Sequence, residues 1–232
     1  MRRKHKKHII KTWILSIAAL AVGIVFVSPL YLVFVNSVKT VREIYLSPLG
    51  LPVEISWNNF GRVMEKINFG QALKNSLLFV VFGVAGLLVI CSMAAYRLAR
   101  HRTRVNKFVY LLLVSSILVP FQTVMIPLIK IIASIGLYNT RIGVLLAYYG
   151  YGIPFAVFLF YGFLSSIPRE IAEAALIDGG SLFQVYRCII LPLLKPICVT
   201  VAVLVVLWIY KDILLPLVLV SDTELSTTTL LM

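Results

Sequence analysis

The sequence is short of acid: nine Asp and Glu stand against 22 Lys and Arg, and charged residues of both signs fill only 13% of 232 positions. An ordinary soluble domain is roughly 25% charged. This chain is 60% hydrophobic with a mean hydropathy of +0.97, too little polar surface to cover itself in water. A soluble globular enzyme and a disordered tail are thereby excluded. Cysteine is also scarce. Cys91, Cys188 and Cys198 form no CxxC, and the first and last lie in apolar runs where a thiol behaves as a small hydrophobe, so a disulfide scaffold is excluded. His5, His8 and His101 all sit in basic clusters, and no metal site can be assembled at ligand spacing. Neither GxxxxGKS nor GxxxxGKT occurs, so the chain does not itself cradle nucleotide phosphates; HExxH and GxSxG are missing too. Glu54, Glu65 and the other carboxylates are scattered singly. No catalytic residue, metal or bound cofactor is expected.

What is present is apolar length. A hydrocarbon core about 30 Å thick needs roughly 20 apolar helical residues. Five runs qualify, at 14–35, 73–96, 108–132, 143–164 and 197–220, about half the chain. In lipid such runs must be helices, since a lone strand leaves its backbone groups unpaired. The fold class is therefore all-α, a multi-pass helical membrane protein. Pro120, Pro127, Pro154 and Pro216 read as kinks. The basic start and first run mimic a signal peptide, but the run is long enough to span and lacks a small-x-small cleavage site.

Orientation follows from Lys and Arg. With the N-terminus inside, segments 1–13, 97–107 and 165–196 hold fourteen basic residues; the outside segments 36–72, 133–142 and 221–232, of similar total length, hold five. The bias places the N-terminus in the cytoplasm. "RRKHKK" and "RLARHRTRVNK" read as anchors against anionic lipid rather than a nucleic-acid patch. The organisation expected is a basic tail, 1–13, followed by a transmembrane domain, 14–232.

The cytoplasmic stretch 165–196 is patterned differently. Pro168 suits a first helical position, and Glu170 and Glu173 lie where the helix dipole favours carboxylates. "EIAEAALI" is strongly helix-forming; Asp178, Gly179 and Gly180 stop it, and Ser181 with Gln184 has capping-box spacing. Pro192 and Pro196 are expected to break the chain before the fifth run. The result is two short helices about a glycine turn. Small Ala174 and Ala175 beside Glu173 leave a surface a second protein can approach closely; an amphipathic pair resting on lipid fits the pattern equally.

Glu173, Ala174, Ala175, Gly179, Ile189, Leu191 and Pro192, in "EAALIDGGSLFQVYRCIILP", fall at fixed spacing with Asp178 beside the glycine. This resembles the EAA signature of binding-protein-dependent ABC importer permeases. "VPFQTVMIPLIKIIASIGLYNT" and "PLVLVSDTELST" look like the carbohydrate branch, specifically the maltose-type G subunit. The resemblance implies an ABC type I importer permease fold, in the bacterial plasma membrane. It also implies that the EAA helix is a coupling helix docking in a cleft of a separate ATPase. The implied partners are two ATPase subunits holding ATP and Mg, a second permease subunit, an extracytoplasmic solute-binding protein and a sugar. A permease for a polyamine, a peptide or a glycerol phosphate, and a non-transporting truncated remnant, are the alternatives. Family members usually carry a sixth span, and against that pattern the sequence reads as five spans with the sixth missing.

The fifth run departs from the family. Where sugar permeases tend to read Trp-Asn-Asp/Glu-Phe, this chain reads Tyr210, Lys211, Asp212, Ile213. A charge at mid-bilayer costs roughly 2.5–3.5 kcal/mol on insertion scales and usually faces a cavity or partner. Two readings fit: Lys211 snorkels to the outer interface, or the three residues line a substrate path with the Tyr210 ring stacking on sugar. Neighbours on a helix diverge by about 100°, so Lys211 and Asp212 need not pair. Asn75, Ser76, Ser115, Ser116, Gln122 and Thr123 are further path candidates, although helix-to-helix hydrogen bonds explain isolated Ser and Thr equally. Tyr148, Tyr149 and Tyr151 read as a packing or interfacial cluster rather than a sugar platform. The outside loop 36–72, with Trp57 and Phe60, is either a solvated connector or, by the resemblance, a surface for the binding protein.

Overall fold

The computed structural model describes residues 2–101 and 103–231, with side chains for all of these except 2–10 and 223. The side chains of "RRKHKK", with His5 and His8, therefore lie outside the described residues, as do Met1, Arg102 and Met232. Among the described residues there is no strand. The chain divides into two compact units between Asn68 and Phe69.

The first unit opens with α1 (Arg2–Ser37), whose described side chains are apolar and exposed along nearly its whole length. A helix hydrophobic all round is built for lipid or a partner rather than water. A loop carrying α2 (Val41–Leu46) leads to α3 (Asn58–Lys66). Thr40 caps α2 by accepting from the Glu43 amide at 3.4 Å. The loop closes on Lys39, which is fully buried. Its Nζ donates to Asn36 Oδ1 at 3.2 Å and to the carbonyls of Ser47 and Gly50 at 2.8 and 2.7 Å. Nδ2 of Asn59 donates to the carbonyls of Ser37 and Lys39 at 2.9 and 2.7 Å, fastening the start of α3 to the same turn.

The second unit is a bundle: α4 (Phe69–Arg100), α5 (Arg104–Ser116), α6 (Phe121–Ser134), α7 (Arg141–Ser166), α8 (Glu170–Ile177), α9 (Leu182–Val185), a π-turn over Tyr186–Ile190, α10 (Leu191–Leu193), α11 (Lys195–Lys211), α12 (Leu214–Leu219), a 3-10 turn at Thr223–Leu225 and α13 (Thr228–Leu231). Its core joins α4, α7 and α11: Phe79, Leu87 and Cys91 pack with Tyr148, Val157 and Phe160, and with Val201 and Val205. Gly152 lets these helices approach closely, since a Cβ there would sit 2.8 Å from Leu87 Cδ1.

Lys11–Ser37, Phe69–Arg100 and Arg141–Ser166 are each long and apolar enough to cross a membrane, and two bent helix pairs raise the number to five if each counts as one span. The bends correct the expected helices. The run 108–132 is broken rather than kinked: α5 and α6 meet at 110°. The amides of Leu118 and Val119 close the last turn of α5, and Pro120, lacking an N–H, opens α6. The run 197–220 also breaks: α11 stops at Lys211, Asp212 is extended (ψ 129°), and α12 follows. Lys211 and Asp212 are thus not neighbours on one helix. The chain does break before the fifth run, as expected of Pro192 and Pro196. They occupy opening turns of α10 and α11, where an N–H is not needed, and the 71° bend falls at Leu194 between them. Pro168 precedes the helix it was expected to start, which begins at Glu170.

Candidate functional site

The loop between α7 and α11 folds as two short helices about a tight turn. The amide of Gly180 donates to the Ala175 carbonyl at 3.0 Å, and Gly179 has φ +89°, a conformation that L side chains rarely adopt. Ser181 and Gln184 form a reciprocal capping box: the Gln184 amide donates to Ser181 Oγ at 3.3 Å, and the Ser181 amide to Gln184 Oε1 at 2.8 Å. The tip is bare. Ile177 is 85%, Phe183 61% and Leu182 53% exposed, and Glu173, Ala174, Asp178 and Gly179 are exposed with them. Ala175 and Ile189 are half-buried, whereas Leu191 and Pro192 face outward. The surface offered is an apolar knob edged by carboxylates.

The opposite side of the loop is anchored. Ala172, Val185, Ile190 and Leu194 are buried in the core of the second unit. At the entry, Arg100 Nη1 donates to the Ile167 carbonyl at 3.1 Å, and Arg169 Nη2 to the Ala99 carbonyl at 3.5 Å. At the exit, the Tyr186 and Ser92 hydroxyls share a hydrogen bond of 2.7 Å, and the Tyr186 ring lies 5.6 Å from that of Tyr96. Both clasps land on α4.

Of the expected path residues, Asn75, Ser76, Tyr210 and Asp212 meet residues 224–229. Asn75 Nδ2 donates to the carbonyls of Glu224 and Ser226 at 2.7 and 3.1 Å. Arg141 Nη2 donates to Asn75 Oδ1 at 3.4 Å, and Ser76 shares a 3.0 Å bond with Thr228. From the other side, Thr229 Oγ1 lies 3.3 and 3.0 Å from the carbonyls of Tyr210 and Asp212, the frayed end of α11. The Asp212 carboxylate accepts from the Leu214 amide at 3.2 Å and so starts α12. Tyr210 and Lys211 are exposed. The side chain of Gln122, exposed on α6, joins no hydrogen bond among the described residues. Ser115 and Ser116 bond back to their own helix at Leu112 and Leu113. Where α5 and α6 diverge, a cavity of about 800 Å³ opens against α7 and α11, with Tyr151, Phe155 and Trp208 among its walls. Tyr151 stands 5.5 Å from Trp208 and edge-on to Phe121; Tyr148 is buried against Phe79 and Trp208, and Tyr149 donates to the Phe82 carbonyl.

Residues 86–231, which include the loop and nearly all of these path residues, match the family of binding-protein-dependent transport system inner membrane components. The chain belongs to this family. As an inner membrane component, the permease is similar over all of its length to 82% of the probable starch degradation products transport system permease protein AmyC of Thermoanaerobacterium thermosulfurigenes, at 36% identity. It is 32% identical to the melibiose/raffinose/stachyose import permease protein MelC of Bacillus subtilis, over 94% of this chain and 79% of that one. A bacterial ABC transporter involved in import of the acidic polysaccharide alginate shares the fold, with a TM-score of 0.81 at 24% identity over 93% of this chain and 76% of the other. Sequence reasoning located the loop of this permease but missed its anchors, Arg100, Ser92 and Tyr186, and its apolar tip, Ile177, Leu182 and Phe183. The apolar Val185, Tyr186, Ile190 and Leu194, at helical spacing, were the available signal for the anchored face.

Proposed function

We propose that this permease is one of two membrane subunits of an ATP-driven importer for sugars or oligosaccharides in the bacterial plasma membrane. Its N-terminal tail, 1–13, faces the cytoplasm, as the Lys and Arg bias favours. One observation carries the reading: seven signature residues fall on a helix–turn–helix whose tip is bare and whose base is clasped to α4. Glu173, Ala174, Ala175, Asp178 and Gly179 form the part that docks on an ATPase subunit; Ile189, Leu191 and Pro192 shape the return to α11. The names of the relatives support the sugar class. This chain binds no cofactor and breaks no bond; ATP and Mg belong to the ATPase partners. Closure of the two ATPases around ATP moves the docked loops, and a loaded binding protein favours the same outward-open state. The two ligands act together because each prefers that state. Tyr210, Lys211, Asp212, Asn75 and Gln122 remain the residues proposed for the sugar path.

Glu173→Lys tests the docking. Reversing a charge at an interface costs several kcal/mol, so the variant should insert normally but lose co-purification with the ATPase subunits, and uptake of labelled maltodextrin and raffinose should fall to background. Unchanged association and uptake together would reject the reading.

A further inference from the structure

Arg100, the last residue of α4, sits beside the point where the chain leaves α7 for the docking loop. A guanidinium carries five N–H donors in a rigid fork. Arg100 spends Nη1 on the Ile167 carbonyl, while its Nε and Nη2 are buried and reach no acceptor. Buried polar groups are nearly always satisfied, and a charged donor left over calls for a physical reason. The chain that Arg100 holds is short and stiff. Ile167 is extended (ψ 126°), as a residue before proline must be, and Pro168 fixes its own φ. Two residues further on, Glu170 opens the first turn of α8; it is exposed, and its carboxylate hydrogen-bonds nothing among the described residues. Tyr96, Arg169, Glu170 and Glu173 surround Arg100 electrostatically, in that order of strength, and Glu170 is the stronger of the two carboxylates. Glu173 lies in the signature and faces outward, whereas Glu170 begins the helix next to the linker that Arg100 grips.

We propose that Arg100 is a positioning residue for the docking loop, and that its unpartnered Nε and Nη2 take the Glu170 carboxylate when a docked partner displaces α8. The inference rests on the docking reading given above. In one arrangement the fork holds the Ile167 carbonyl alone; in the other it holds Ile167 and, bidentately, Glu170. The linker 167–169 then cannot absorb the displacement, and α4 moves with α8.

The test uses the whole transporter, with its ATPase subunits and binding protein, reconstituted in lipid nanodiscs. Spin labels go on cysteines placed at Ile171, on α8 but outside the docking tip, and at Val89, 40% and 60% exposed, in a background without native cysteines. The original chain should give a narrow distance distribution that shifts with ATP. Arg100→Met and Glu170→Gln should each keep the ATPase bound yet broaden the shifted distribution and lower sugar moved per ATP about tenfold, an ordinary coupling loss. The double variant should be no worse than either single, because both remove one interaction. Arg100→Lys, which keeps the charge but lacks the planar fork for a bidentate carboxylate contact, should restore part of the transport. Full transport and a narrow distribution in Arg100→Met, or strictly additive losses in the double variant, would overturn the proposal. If Arg100→Met fails to fold, Glu170→Gln, at an exposed position, decides the matter alone. Failure of the original chain to bind its ATPase would instead sink the docking reading, and this inference with it.

Discussion

Two cations, a buried Lys39 and a half-buried Arg100, tie down two loops of this protein, and they do it in opposite ways. In the first unit, Lys39 has three donors and three acceptors, all within 3.2 Å. In the second, Arg100 has five donors and one acceptor. A saturated ammonium has nothing to gain from any other arrangement, so the turn around it is fixed. An unsaturated guanidinium holds its loop in one arrangement and has the means to hold it in another. Satisfaction of donors, more than burial, separates a static brace from a moving joint.

The comparison can be broken in three places. The largest effect is expected for Lys39→Met, which removes three charge-assisted hydrogen bonds at about 3 kcal/mol or more; amide exchange across 40–56 should accelerate strongly, and unchanged protection would show that the ammonium is not what holds the turn. Asn59→Ala removes two hydrogen bonds from the rim of the same cage, worth about 2 kcal/mol together, and should speed exchange only near Ser37 and Lys39. A larger loss than for Lys39→Met would reverse the ranking of brace and rim. Tyr186→Phe deletes one hydroxyl from the second loop; Ser92 keeps its 3.1 Å bond to the Val89 carbonyl, so thermal denaturation in detergent should report a loss of only about 1 kcal/mol. An effect as large as that of Lys39→Met would mean that the second loop is braced as rigidly as the first.

The helical class and the apolar runs were legible because composition and run length report directly on lipid. The glycine turn and the capping box were legible because their causes are local: Gly179 supplies a positive φ, and Ser181 and Gln184 are three residues apart. The breaks at 117–120 and 212–213 were not. Proline within an apolar run signals a bend, but whether α5 and α6 diverge mildly or by 110° depends on what packs around them. Lys211 and Asp212 looked like charges stranded on a continuous helix, whereas Asp212 ends one helix and starts the next, with Thr229 covering the exposed carbonyls. That bond joins residues 17 apart, and Arg100 meets Ile167 across 67 positions. No local pattern encodes such pairings.

The unbroken length of α4 carries a mechanical consequence. Its 32 residues run unbroken for about 48 Å at 1.5 Å per residue. Arg100 and Ser92 grip one loop toward one end, and Asn75 and Ser76 grip residues 224–228 toward the other. Pivoted near Arg100, a tilt of about 5° would sweep Asn75 through roughly 3 Å, because some 37 Å of rod separates them. Leverage of that size outweighs a hydrogen-bond length, enough to unseat the terminal segment from a nudge too slight to unfold anything.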